Sequence, residues 1–183
     1  MAIYKEEGYR LNSRYASGGK YQTPWPTFRF WNRWMIDHGY HCFNLDPFSS
    51  KQDHRTPRFI TRKQNGFIAD WREYVAPSSV RAWVNPPYSE IPQCTEKVVF
   101  ECRRGCTAGT LLPGWGFGDP WCAEDVARYA SEIIYIKGRI RFIGAPGKPS
   151  YRASFSSAFI LWLPGLRPAG TEIRTSWIDC PLT

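Results

Sequence analysis

An apolar strand that runs straight into two consecutive prolines constrains this chain more than any other feature. Residues 83–88 read Trp-Val-Asn-Pro-Pro-Tyr. Pro86 and Pro87 have no backbone donor and a fixed φ, so the strand feeding them must stop and the chain must turn. The carbonyls of Asn85 and Pro86 and the Asn85 amide then converge on one small polar group, and Tyr88 sets a flat ring beside them. An acceptor cluster under a stacking ring suits an exocyclic amino group on a planar heterocycle, such as N6 of adenine.

Hydrophobic periodicity supplies the frame around that turn. Rings at Phe28, Trp31 and Trp34 fit a helix face that Gly39 closes. Strands are expected at His41–Asp46, Arg58–Thr61, Gly66–Trp71 and Val80–Val84, with a polar loop over 47–57. A helix follows from Pro92 to Arg104, then a strand Cys106–Leu112 and a glycine- and tryptophan-rich loop over 114–118. Asp119 and Pro120 read as N-cap and first residue of a helix ending near Ala130. Glu132–Ile136 and Ser157–Leu163 read as strands flanking a basic loop. Strands alternating with helices predict an α/β fold, with a mostly parallel sheet and a late antiparallel strand. Ligands of such sheets sit beyond the carboxyl ends of the strands, where Asp46, Asp70 and Asn85 are all expected. The organisation expected is an N-terminal arm (1–22), one domain (23–165) and a C-terminal extension (166–183) packed on it.

Charge suggests the partner. The net charge of +8 divides into +5 over residues 1–70, −2 over 71–136 and +5 over 137–183, so both ends are basic. A polyanion fits that distribution, as does a merely soluble surface. The 16% of aromatic residues serve either a core or base stacking. No apolar run reaches the roughly 20 residues of a membrane span, and the first residues lack a signal-peptide core, so a cytoplasmic location is expected. The six cysteines form no Cys-x-x-Cys pair. Cys102 and Cys106 are expected on one helix face as ordinary thiols, and His38, His41 and His54 show no ligand spacing, so no metal is expected.

The ordered motifs resemble those of the phage and prophage type of DNA N6-adenine methyltransferase. Thr23-Pro24 stands ahead of the aromatic helix, followed by Leu45-Asp46-Pro47-Phe48, Pro57-Arg58-Phe59-Ile60-Thr61, Asn65-Gly66, Asp70-Trp71, Asn85-Pro86-Pro87-Tyr88, Leu111-Leu112-Pro113 and Lys137-Gly138-Arg139-Ile140-Arg141-Phe142. The series spans about three quarters of the chain, from Thr23 to Leu163. It departs from the family pattern at Ser49-Ser50, where many amino-methyltransferases carry glycine, and over Gly144–Ser157. A large separate target-recognition domain is not expected within these 183 residues.

The resemblance implies a Rossmann-like methyltransferase fold, S-adenosyl-L-methionine as cofactor, and double-stranded DNA as partner inside a bacterial host cell. It implies that Asn85, Pro86, Pro87 and Tyr88 hold the target base. Thr23, Pro24, Asp46, Pro47, Phe48, Ser49, Asp70 and Trp71 are implied around the cofactor, although turn capping explains the two aspartates and core packing explains Phe48 and Trp71 as well. Alternation would put Lys137, Arg139 and Arg141 on one strand face, against phosphates or guanine. Trp115 and Phe117 suit a wedge into the gap left by a flipped base, or a cover for the core. Methyl transfer to an amino nitrogen needs no covalent enzyme intermediate and hence no cysteine. Cytosine-N4 and RNA amino groups fit the same acceptor cluster, a small-molecule or protein amino group is a further alternative, and Ser49-Ser50 also fits a catalytically weak DNA-binding relative.

Overall fold

In the computed structural model, which describes residues 22–75, 79–114, 118–143, 151–168 and 170–179, the aromatic run forms helix α1, Trp25–Asp37. Pro26 sits in the first turn, where an amide would lack a helical partner in any case. Phe28, Trp31, Trp34 and Met35 make one buried stripe, and Gly39 leaves the helix at φ 81°. The stripe lies on the sheet: Trp31 stacks on Phe159 at 4.1 Å, and Phe28 meets Trp83 edge-on at 5.4 Å.

Seven strands form one sheet: β1 (Leu45–Ser49), β2 (Arg58–Thr61), β3 (Arg81–Val84), β4 (Thr107–Pro113), β5 (Glu132–Lys137), β8 (Ser157–Trp162) and β9 (Arg174–Asp179). A separate two-stranded ribbon pairs β6 (Arg141–Phe142) with β7 (Tyr151–Arg152). The sheet order is β2-β1-β3-β4-β8-β5-β9. Six of the strands run parallel, and β8 is antiparallel to both β4 and β5. This is the α/β, mostly parallel architecture expected, with the antiparallel strand late in the chain.

Helix α2 (Ile91–Arg103) returns the chain from the Asn-Pro-Pro-Tyr turn to β4. Its Ile91, Val98, Val99 and Cys102 belong to a core with Leu45, Val84, Leu112 and Trp162. The second core holds the α1 rings together with Phe43, Trp83, Leu111 and Phe159. Gly109 is required where these rings converge, since a Cβ there would stand 2.5 Å from Phe159 and 2.6 Å from Phe43. The aromatic excess therefore serves chiefly the core: Trp31, Trp71, Trp83 and Trp162 are fully buried. Among the described residues no helix is long and apolar enough to cross a membrane.

Several local expectations change. The first strand starts at Leu45 and runs on to Ser49, so Asp46 lies near its start and not at its end. Residues 43 and 44 are instead held by the Asn32 side chain and by Arg81 and Ser79. Pro47 is tolerated in a strand paired on both sides because the register slips between Asp46↔Phe59 and Ser49↔Thr61, a bulge that removes the need for its missing amide. Gly66–Trp71 is not a strand. Asn65 adopts a left-handed φ of 57°, the amides of Ile68 and Ala69 bond back to its carbonyl, and Asp70 caps a 3₁₀ turn, Trp71–Glu73, by accepting from the Arg72 amide. The helix after Asp119 carries a π-type turn at Cys122–Val126. Cys106 lies beyond the end of α2, so it shares no helix face with Cys102. Burial pushes the Cys106 thiol up to about 12, and that of Cys102 well above its ordinary value. The C-terminal segment supplies β9, a mostly exposed edge strand that joins the sheet parallel to β5. Residues 1–21, most of the expected arm, lie outside the described residues, as do Trp115 and Phe117.

Candidate active site

Strand order reverses between β1 and β3, since the chain leaves β1 toward β2 and later leaves β3 toward β4. The crevice beyond the carboxyl ends of these strands is where an α/β sheet takes its ligand. Asn85 follows the last residue of β3 and so opens directly onto it.

The Asn85 amide is oriented from far away in the sequence. Its Nδ2 donates to Thr23 Oγ1 at 2.9 Å, and Thr23 is buried. An amide held through Nδ2 turns its acceptor end, Oδ1, away from Thr23. Thr23 is itself fixed from three sides. Helix α1 begins two residues later, and neighbouring Gln22 exchanges backbone bonds with Ile143 at 3.0 and 3.1 Å. The Thr23 carbonyl accepts from Arg55 Nε at 2.6 Å.

Arg55 connects this assembly to β1. Its backbone amide donates to Asp46 Oδ2 at 2.9 Å, its Nη1 pairs with Asp53 at 2.6 Å, and its guanidinium lies 5.0 Å over the Trp25 ring. Thr23, Asp46, Arg55 and Asn85 thus form one connected set from four chain segments. Asp46 is buried, and loss of hydration raises its pKa to about 7 despite the Arg55 amide and guanidinium, which pull the other way. A carboxyl poised in this way readily accepts a hydrogen bond from a ligand.

The β1 bulge shapes the floor of the crevice. Gly66 lies so close to it that a Cβ would stand 2.0 Å from the Pro47 carbonyl oxygen and 3.1 Å from Phe48. Phe48 is half-buried, 4.7 Å from Phe67 and 6.1 Å from Trp71. Ser49 Oγ donates to the Asp46 carbonyl, and Ser50 Oγ accepts from the Asp53 amide. The two serines found in place of glycine therefore brace the loop that carries Arg55. Tyr88 is half-buried, with its ring met edge-on by Phe155 at 5.2 Å. Pro24 caps α1 in an extended conformation.

Other expected site residues are engaged elsewhere. Asp70 is bound by Arg72 and by Arg104, at 2.9 and 2.7 Å, besides capping its turn. Trp71 is fully buried and donates to the Gly66 carbonyl, so its ring packs in the core. Lys137, Arg139 and Arg141 are all exposed but do not share one strand face: Gly138, at φ 93°, ends the alternation. Lys137 pairs with Asp179 at 3.5 Å, while Arg141 lies in β6, directly across from Arg152.

Sequence reasoning missed Arg55, because a lone arginine in a polar loop gives no local sign of its partners. It also missed the buried pair Lys97–Glu101 at 2.6 Å, whose lysine holds the Ala69 carbonyl; their i, i+4 spacing was the available signal. Glu90, two residues beyond Tyr88, was missed as well. Among the described residues no cluster of His, Cys, Asp and Glu suits a metal ion.

Compared with known families, residues 12–175 match DNA N-6-adenine-methyltransferase (Dam). No curated protein matches the chain.

Proposed function

The chain belongs to the DNA N-6-adenine-methyltransferase (Dam) family, and on that premise we propose that it transfers a methyl group from S-adenosyl-L-methionine to the N6 amino group of adenine in double-stranded DNA. The observation that carries this reading is the Asn85 amide, turned by its bond to Thr23 at the mouth of the strand-order reversal.

The amino nitrogen of adenine is a weak nucleophile because its lone pair is delocalised into the ring. Asn85 Oδ1 and the Pro86 carbonyl accept its two hydrogens, which favours a pyramidal nitrogen and stabilises the positive charge that develops on it. These dipoles are aimed before the reaction begins, so the gain falls on the transition state. Pro87 keeps the turn rigid. Tyr88, steadied by Phe155, stacks on the base once it has left the duplex.

The crevice fits the methyl donor. It contains a buried carboxyl at Asp46, a half-buried ring at Phe48, and a buried acceptor at Glu90 Oε2 with no hydrogen-bond partner among the described residues. Asp46, Pro47, Phe48 and Ser49 would hold the donor from the β1 side, with Thr23 and Pro24 closing over it. When bound, S-adenosyl-L-methionine supplies an electrophilic methyl group on a sulfonium. The exposed Arg139 and Arg141 contact DNA phosphates.

The test is transfer of labelled methyl from S-adenosyl-L-methionine to unmethylated double-stranded DNA, followed by digestion to nucleosides. N6-methyladenine is expected. Label recovered as N4-methylcytosine, or accepted only by RNA, would replace the substrate assigned above.

A further inference from the structure

The end of β2 lacks the residue that a nucleoside-binding sheet ordinarily keeps there. In dinucleotide-binding α/β sheets, an acidic side chain some 20 residues beyond the first turn accepts the ribose hydroxyl. Here β2 ends at Thr61, whose hydroxyl donates to Gln64 in a closing turn, and residues 58–69 contain no carboxylate. The next acid, Asp70, is already held by two arginines.

Glu90 is a carboxylate near this place with an oxygen left unpartnered among the described residues. It precedes α2 as the N-cap residue, yet its side chain makes no capping hydrogen bond. Its Oε2 is buried and has no hydrogen-bond partner among the described residues. The positive charge of Arg62, the residue immediately after β2, favours its carboxylate, so Glu90 lies within electrostatic reach of the end of β2. Burial raises its pKa, so the position opposes the charged form unless a donor arrives. A buried acceptor without a donor, two residues beyond Tyr88 and within electrostatic reach of Arg62, is unfavourable and is satisfied by a ligand that brings hydroxyl groups.

We propose that Glu90 accepts the ribose hydroxyls of the bound cofactor, supplying from the start of α2 the carboxylate that the end of β2 lacks. This rests on S-adenosyl-L-methionine being the methyl donor.

The experiment is calorimetric titration of the full chain with S-adenosylhomocysteine and with its 2′,3′-dideoxy counterpart, for wild type, Glu90→Ala and Glu90→Gln. Wild type is expected to prefer the ribose compound by about tenfold or more, the worth of a hydrogen bond to a charged acceptor. Glu90→Ala should bind the two compounds alike. Glu90→Gln keeps the size of the side chain and should show a reduced preference, with an unchanged melting profile confirming that the fold is intact. Undiminished preference in both variants, or none in wild type, would overturn the assignment of Glu90 and leave the methyl donor standing. Wild type binding neither compound would overturn both.

Discussion

Replacing Asp46 with asparagine isolates the cost of a buried charge. In the folded protein this carboxyl has a pKa near 7, because burial opposes its ionisation more than Arg55 favours it, against an ordinary value of 3.8. A carboxyl whose pKa is raised on folding binds its proton more tightly in the native state. Its contribution to stability is whole below pH 3.8 and is lost as pH rises to about 7. At about 1.4 kcal/mol per pH unit, the whole loss is about 4 kcal/mol, of which roughly half has occurred by pH 5.5. Asparagine keeps the size and an acceptor for the Arg55 amide but does not titrate, and all other ionisations cancel between the two proteins. Asp46→Asn should therefore gain about 2 kcal/mol on wild type between pH 5.5 and pH 8.5, or roughly 4–8 °C in Tm for a chain of this size. Urea unfolding and thermal melts of the cofactor-free protein at both pH values measure it. A difference between the two proteins that stays flat across this range would refute the argument that burial governs Asp46.

Asn85→Ala should lower methyl transfer by at least about 100-fold, as loss of a preorganised dipole does elsewhere, with the unfolding midpoint nearly unchanged. Thr23→Val removes the acceptor for Asn85 Nδ2 but keeps the carbonyl that Arg55 uses, so kcat should fall about tenfold; an unchanged kcat with weakened S-adenosylhomocysteine binding would mean that Thr23 serves the cofactor alone. Arg139→Ala should reduce the slope of log K against log salt for DNA binding by about one, and an unchanged slope would return that arginine to the solvated surface. Lys97→Met leaves the buried Glu101 to the longer Arg104 pair at 3.6 Å and should cost about 3 kcal/mol in denaturant unfolding, much of it recovered when Glu101→Leu is added.

Most of the sheet was legible in the sequence because its strands are bounded by residues with one conformational meaning. Pro86 and Pro87 stop β3, Pro113 stops β4, and the isoleucines of β5 and the apolar run Ala158–Trp162 of β8 read as buried strands. The misread segment, Gly66–Trp71, has the aromatic and aliphatic content of a strand, but two short-range choices divert it: the left-handed Asn65 and the capping Asp70. β9 was missed because it is an edge strand with a mostly exposed, polar pattern, held by pairing with β5 and by the stacking of Trp177 on Tyr135 at 4.7 Å. In the site, the Asn-Pro-Pro-Tyr turn announced itself through the chemistry of proline. The bonds that orient it did not, because Asn85 and Thr23 stand 62 residues apart, and Arg55 and Thr23 stand 32 apart. Such contacts follow from topology, which local patterns do not encode.

The position of β8 also bears on how the chain reaches this structure. β8 stands between β4 and β5, pairing Ala108 with Trp162 on one side and Glu132 with Leu161 on the other. Until residues 157–162 insert, the strands from β2 to β4 form one partial sheet and β5 begins another, and each presents an open edge. All six β8 residues are buried, and Phe159 completes the ring cluster that α1 covers. The closing step is thus a distant pairing made after its neighbours are in place, and loop-closure entropy makes such pairings slow. Chains interrupted before Ser157 would leave the β4 edge and both edges of β5 unpaired, since β9 also lies beyond that point, the form in which α/β proteins associate with one another instead of folding.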